Sequence, residues 1–309
     1  MGDCHNVDWV SWGGNVEDVR TGLAQSRAGL AAQAEPIPAV EELYLSLLKG
    51  CLTRSLFPDD QLQELHLNGW RGLLWDRAKK NRDLRIVERT PVNAKERNEG
   101  RDMPQDADTM IGYPRLENLQ QCITSILDDG IPGDLIETGV WRGGASIFMR
   151  GVLAARGVSD RNVWLADSFE GLPTPDADTH PADGAYDVDD YGVLAVSQDD
   201  VKANFAKYGL LDDQVKFLAG WFKDTLATAP IQQLALVRLD GDLYESTIDA
   251  ITALYPKLAI GGYMIVDDYN APLFADACGQ ATRDYREEHG ITEPIQEIDW
   301  TGVYWRRER

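Results

Sequence analysis

No Cys-x-x-Cys pair occurs in the chain: Cys4, Cys51, Cys122 and Cys278 lie far apart. Neither a zinc site nor a disulfide framework is indicated, and buried free thiols are expected. No apolar run approaches the roughly 18 uncharged residues of a membrane span, and the N-terminus lacks a basic-then-apolar secretion signal. A cytoplasmic location without membrane contact is therefore expected. Positive charge is scarce, with 30 Lys and Arg against 51 Asp and Glu and a formal charge of -21. That balance argues against nucleic acid, whose phosphates demand a basic face, and it suits a cationic cofactor, a metal ion or plain solubility. The 309 residues suit one large α/β domain with an appended segment, or two small domains.

The most informative stretch runs from Asp134 to Ser146 (DLIETGVWRGGAS). Leu135 and Ile136 begin a buried strand, Gly139, Gly143 and Gly144 relieve the backbone of side chains, and an apolar helical run follows from Ile147. A strand, a tight glycine loop and a helix N-terminus together cradle a ligand. The spacing Glu-x-Gly-x-x-x-Gly-Gly departs from the dinucleotide fingerprint Gly-x-Gly-x-x-Gly, so a pyrophosphate is not the obvious guest. Glu137, at the strand end, repels phosphate and suits a cation, and S-adenosylmethionine carries both a sulfonium and an ammonium. A plain βα turn is the structural alternative.

Residues 1–38 read as a poorly ordered extension or a partner-docking arm. Residues 39–130 read as an N-terminal helical segment and cap. In it Val40, Leu43, Tyr44, Leu47, Leu48 and Cys51 follow helical spacing, 77–101 is a solvated polar loop, and a helix runs from about Arg115 to Asp128. Residues 131–309 carry the ligand-binding domain. Its second strand ends at Asp167, placed either to accept ribose hydroxyls or to cap the next turn. The segment 172–200 is long and polar enough to be a lid. Its acids, Asp176, Asp178, Asp183, Asp187, Asp189 and Asp190, lack calcium-loop spacing and read as solvated, and His180 is a candidate for substrate contact. Trp221, after a strand at Val215–Ala219, either packs on an adenine or sits in the core. Two further apolar strands end in Asp240-Gly241-Asp242 and Asp267-Asp268, with a helix at 248–258 and a turn at Gly261-Gly262 between them. Adjacent strand ends deliver Asp240, Asp267 and Asp268 to one place, where a hard cation such as Mg2+ finds oxygen ligands; independent turn aspartates are the alternative. A closing hairpin around Asp299-Trp300-Thr301 completes an α/β pattern with an antiparallel finish.

These segments together resemble the macrocin O-methyltransferase family, which methylates sugar hydroxyls on antibiotics such as macrolides and aminocoumarins. The resemblance is carried by LYLSLLKGCLT (43–53), GRDMPQDADTMIGYPRLENLQ (100–120), ETGVWRGGAS (137–146), ADSFEGLP (166–173), VKANFAKYGLLDDQVKFLAGWFKDTL (201–226), RLDGDLYEST (238–247), GGYMIVDDY (261–269) and IDWTGVYWR (298–306). It implies a Rossmann-like class I methyltransferase fold, with a seven-stranded, mostly parallel sheet, an antiparallel last strand and an N-terminal helical segment. It also implies S-adenosylmethionine as donor, with Thr109, Met110, Glu137, Gly139, Ser146, Asp167, Ser168, Gly220, Trp221 and Asp240 at its site. Mg2+ on Asp240, Asp267 and Asp268, with Asp240 also the general base, completes the implied chemistry. Catechol-type methyltransferases place a lysine base where this chain has Leu243, which favours a carboxylate base. The expected acceptor is a sugar hydroxyl of a glycosylated natural product, the alternative a phenol or catechol, and a homo-oligomer is expected.

Overall fold

The computed structural model describes residues 39–57, 60–65, 69–78, 86–176, 178–185, 192–272 and 275–309. The expected extension at 1–38, and with it Cys4, lies outside the described residues, as do Asp187, Asp189 and Asp190. The chain divides into two compact units, Met1–Val40 and Glu41–Arg309. Within and bordering the second, the elements are α1 (Val40–Leu52), β1 (Gln61–Glu64), α2 (Gly69–Ala78), β2 (Val87–Thr90), α3 (Ala94–Glu99), α4 (Gly112–Asp128), β3 (Asp134–Thr138), α5 (Gly144–Ala155) and β4 (Val163–Asp167). There follow a 3-10 turn (Pro181–Ala185), α6 (Gln198–Lys207), β5 (Val215–Ala219), α7 (Phe222–Thr225), β6 (Leu234–Leu239), α8 (Tyr244–Leu254), β7 (Leu258–Val266), α9 (Gln280–Glu288), β8 (Gln296–Glu297) and β9 (Val303–Arg306).

Seven strands form one sheet in the order β5-β4-β3-β6-β7-β9-β8. The first five are mutually parallel, and β9 runs antiparallel to both β7 and β8. This is the sheet that the class I methyltransferase reading expects. The order reverses between β3 and β6, so the carboxyl ends of those strands open a crevice there. All six side chains of β6 are buried, and buried residues of α4 and α5 such as Leu116, Ile123, Phe148 and Leu153 join Leu135 and Leu236 in one core. Truncating one of these to Ala should cost about 2–5 kcal/mol. Among the described residues no helix is long and apolar enough to cross a membrane. Cys51, Cys122 and Cys278 are free thiols, the last two buried.

Several local expectations are corrected. In α1 the buried face is Leu45, Leu48 and Leu52, while Val40, Leu43 and Leu47 face outward. The polar stretch read as a loop contains β2, paired antiparallel with β1, and the capped helix α3. The Asn93 side chain accepts from the Lys95 and Glu96 N–H groups, and Gly100 ends the helix at φ +63. Polar composition conceals a helix whose signal is its caps. The helix expected at 248–258 starts at Tyr244 and gives way to a short turn, Tyr255–Lys257, around Pro256. Gly261 and Gly262 lie inside β7, where a Cβ on Gly262 would stand 2.7 Å from the Ala235 carbonyl oxygen.

Candidate active site

A cavity of ≈ 680 Å³ opens at the carboxyl ends of β3, β4, β6 and β7. Its floor is the glycine loop. Gly139 adopts φ +80, and a Cβ there would lie 1.7 Å from the Asp240 carbonyl oxygen; no other residue lets β3 and β6 end so close together. A Cβ on Gly144 would stand 2.3 Å from the Asp108 oxygen, so the 108–110 segment lies directly against the start of α5. That packing delivers Thr109 and Met110 to the cavity wall beside Glu137, Gly139, Asp167, Ser168, Trp221 and Asp240. Ser146 and Gly220 are not on the wall. Ser146 is buried and donates to Glu137 Oε2, and the Gly220 N–H donates to the Asp167 carbonyl at 2.9 Å.

The contacts of Asp167 are those of the capping reading. Its two oxygens accept from the Val140 and Phe169 N–H groups, each at 2.7 Å, so the carboxylate ties the glycine loop to the turn after β4. A carboxylate has about four acceptor positions, and this one also faces the cavity. Burial raises its pKa, partly offset by those N–H groups.

Glu137 does not stand free. Register places it beside Arg238 on the neighbouring parallel strand, and the Arg238 guanidinium, 1% exposed, donates to Glu137 Oε1 at 2.7 Å. The same guanidinium donates to Asp240 Oδ2 at 2.6 Å and to Asp267 Oδ1. Arg115, on α4, takes the other oxygen of Asp267 and pairs with Asp299 at 3.0 Å. Burial opposes the Arg238 charge, but Asp240, Asp267 and Glu137 outweigh it and hold the group well above its ordinary value. The one guanidinium is thus shared among three acids. Burial pushes Glu137 up to about 7 against the pull of Arg238.

The aspartates divide into two sets. Asp240, Asp242 and Asp268 bring one carboxylate oxygen each within 4.8 Å of one another. Asp267 is instead enclosed by Arg115 and Arg238, while Asp242 adds a third member next to Asp240. Burial followed by the neighbouring Asp240 and Asp267 charges pushes Asp242 up to about 8. Burial, then Asp242 and Asp240, drive Asp268 well above the carboxylate range. Asp268 Oδ2 is buried without a hydrogen-bond partner. Three crowded carboxylates with an unsatisfied oxygen form an all-oxygen donor set suited to a hard divalent cation, which would reverse those upward shifts.

Arg238 and Arg115 are the residues that sequence reasoning missed. Arg238 interrupts an otherwise apolar strand, which is the available signal, since a buried charge in a central strand needs partners. His180 is not on the cavity wall; its ring stacks on Tyr244 with centroids 5.1 Å apart. Asp183, read as a solvated acid, is fully buried.

Comparison with known proteins accords with this architecture. The family model described as Macrocin-O-methyltransferase (TylF) matches residues 41–307. The 8-demethyl-8-(2,3-dimethoxy-alpha-L-rhamnosyl)-tetracenomycin-C 4'-O-methyltransferase of Streptomyces olivaceus is 50% identical over 266 residues, covering 86% of this chain and 92% of its own. The Mycinamicin III 3''-O-methyltransferase of Micromonospora griseorubida is 48% identical over 269 residues, covering 86% of this chain and 96% of its own. The solved structure of the O-methyltransferase NovP superposes with a TM-score of 0.75 at 45% identity, covering 87% of this chain and 100% of that one.

Proposed function

Because the chain belongs to the macrocin O-methyltransferase family, we propose that it transfers a methyl group from S-adenosylmethionine to a sugar hydroxyl of a glycosylated natural product, with Mg2+ held at the aspartate cluster. The observation that carries this reading is one cavity in which a glycine loop and the Asp240, Asp242 and Asp268 carboxylates face each other. Relatives named for tetracenomycin and mycinamicin methylation support the glycosylated acceptor. Leu243, where a catechol-type enzyme has its lysine, speaks against a phenolic one.

When bound, S-adenosylmethionine supplies an activated methyl on its sulfonium. Asp167 would accept the ribose hydroxyls with the positions that Val140 and Phe169 leave open, Trp221 and Met110 on the cavity wall would cover the adenosyl group, and the acidic residues would attract the positive end. When bound, Mg2+ supplies a Lewis acid that lowers the pKa of the acceptor hydroxyl. Asp240 and Asp268, from adjacent strand ends, would be its foremost ligands, with Asp242 beside them. Arg115 and Arg238 hold Asp267 as the fixed strut between them, which makes Asp267 a support for the cation rather than its first choice of ligand. The acceptor proton needs a carboxylate base. Arg238 donates to Asp240 and not to Asp242, so Asp242 is the freer acceptor and Asp240 the second. Orientation of the hydroxyl against the sulfonium is the rest of the work, since methyl transfer is in-line. Val40, Leu43 and Leu47 on α1 and Trp70, Leu73 and Leu74 on α2 are exposed apolar side chains, which supports self-association.

Mass spectrometry tests the acceptor class. The enzyme is incubated with S-adenosylmethionine, Mg2+ and a panel of desmethyl glycosides, their aglycones and simple catechols. Methylation on the sugar of a glycoside is expected; methylation confined to phenols would overturn the assignment.

A further inference from the structure

Helix α8, which follows the Asp240-Gly241-Asp242 turn, begins without a cap of its own. Its N-cap residue is Leu243, in extended conformation and with no side-chain hydrogen bond to the helix. An apolar side chain cannot satisfy the first N–H groups of a helix, and these must find partners elsewhere. They find Asp183. Its carboxylate, 0% exposed, accepts from the Tyr244 N–H at 2.6 Å and the Glu245 N–H at 3.1 Å. A residue some sixty positions upstream thus supplies the cap, and a negative charge is well placed at a helix N-terminus. His180 stacks on the Tyr244 ring, and the Tyr244 hydroxyl donates to Asp284 at 3.0 Å, which fixes the same junction from either side.

The turn being held is strained. Asp242 adopts φ +58, a conformation that non-glycine residues rarely keep, and the Leu243 N–H closes a three-residue turn on the Gly241 carbonyl at 2.6 Å. Such geometry persists only where the surroundings over-determine it. Upstream, Asp240 is anchored by Arg238 and by its own N–H on the Thr138 carbonyl. Downstream, the anchor is the start of α8, and that is where Asp183 acts.

We infer that Asp183 is a positioning residue: by capping α8 from the 178–185 segment it holds the strained Asp242 turn so that the Asp242 carboxylate stays with Asp240 and Asp268. The inference rests on the proposed methyl transfer for its kinetic readout, and on backbone exchange for its structural one. In D183A, kcat should fall on the order of 10- to 100-fold, the usual cost of a misplaced group, while the donor Kd stays at the wild-type value. Hydrogen exchange at the Tyr244 and Glu245 amides should quicken. D183N keeps one acceptor oxygen but sets an NH2 group against the other N–H, so it should recover only part of the rate. S197A removes an ordinary cap, that of α6 on the Asp200 N–H, and should leave kcat unchanged. Wild-type kcat in folded D183A overturns the inference, as does a parallel fall of kcat and donor affinity, or an equal loss in S197A. If D183A does not fold, D183N must still show faster exchange at one of the two amides, and wild-type exchange at both overturns the inference. Absence of turnover in the wild-type enzyme counts against the proposed function alone, because the exchange comparison still decides the cap.

Discussion

Replacing Arg238 with Met tests the electrostatic floor most severely. The wild-type guanidinium donates to Glu137 at 2.7 Å, to Asp240 at 2.6 Å and to Asp267, and it is 1% exposed. Met fills much of the same volume and removes the charge, leaving those acids without their shared counter-ion; Asp267 keeps Arg115. Breaking a buried ion pair from one side costs about 3–5 kcal/mol, a large part of a typical total of about 5–15 kcal/mol. The deficit should depend on pH with a definite sign. Burial raises Glu137 to about 7, so the native state binds that proton more tightly than the unfolded chain. The resulting stabilisation is complete below the ordinary glutamate value and lost as pH rises through about 7. Without Arg238 the native Glu137 pKa rises further, each unit being worth about 1.4 kcal/mol. R238M should therefore be weakest at pH 8 and approach wild type toward pH 5. Urea unfolding followed by tryptophan fluorescence measures this, and adding E137Q to R238M should restore roughly 1–3 kcal/mol at pH 8 by removing one orphaned charge. A deficit under about 1 kcal/mol, or one equal at pH 5 and pH 8, would refute the role of Arg238 as the shared counter-ion.

D167A should weaken S-adenosylmethionine binding roughly 10²- to 10⁴-fold by calorimetry, from the loss of two charge-assisted hydrogen bonds worth about 1.5–3 kcal/mol each; an unchanged Kd would remove ribose from the assignment. D268N keeps an oxygen ligand and loses a charge, so its activity should return at least partly at high Mg2+. D242N should stay down by roughly 10²- to 10⁴-fold at any Mg2+ concentration, and full rescue of D242N alongside failure of D240N would hand the base role to Asp240. Glutamate at both Leu43 and Leu47 should shift the species seen in sedimentation velocity toward monomer, and an unchanged distribution would locate any self-association elsewhere.

The strands and the glycine loop were legible because buried parallel strands read as short apolar runs ending in polar residues. Leu135–Ile136, Val163–Leu165 and Leu234–Leu239 all follow that rule, and the carboxylates at their ends share one cavity because parallel strands deliver their ends to one side. What could not be read was pairing across the sheet. Nothing local to Arg238 says that register sets it beside Glu137, and nothing local to Asp267 says that two arginines enclose it while Asp242, one turn away, joins Asp240. Asp183 sits in a segment whose composition is that of solvated loop, and only the tertiary position of α8 makes it a cap. The buried face of α1 was displaced for a similar reason. Leu43 and Leu45 are equally apolar, and the neighbours decide which one turns inward.

Transfer of an isotopically labelled methyl from S-adenosylmethionine to a desmethyl glycoside, run with Mg2+ and again after chelation with EDTA, tests the central claim most directly. Label on a sugar hydroxyl, lost on chelation and restored by added Mg2+, is the predicted result. Undiminished transfer in EDTA would contradict a cation on the Asp240, Asp242 and Asp268 carboxylates.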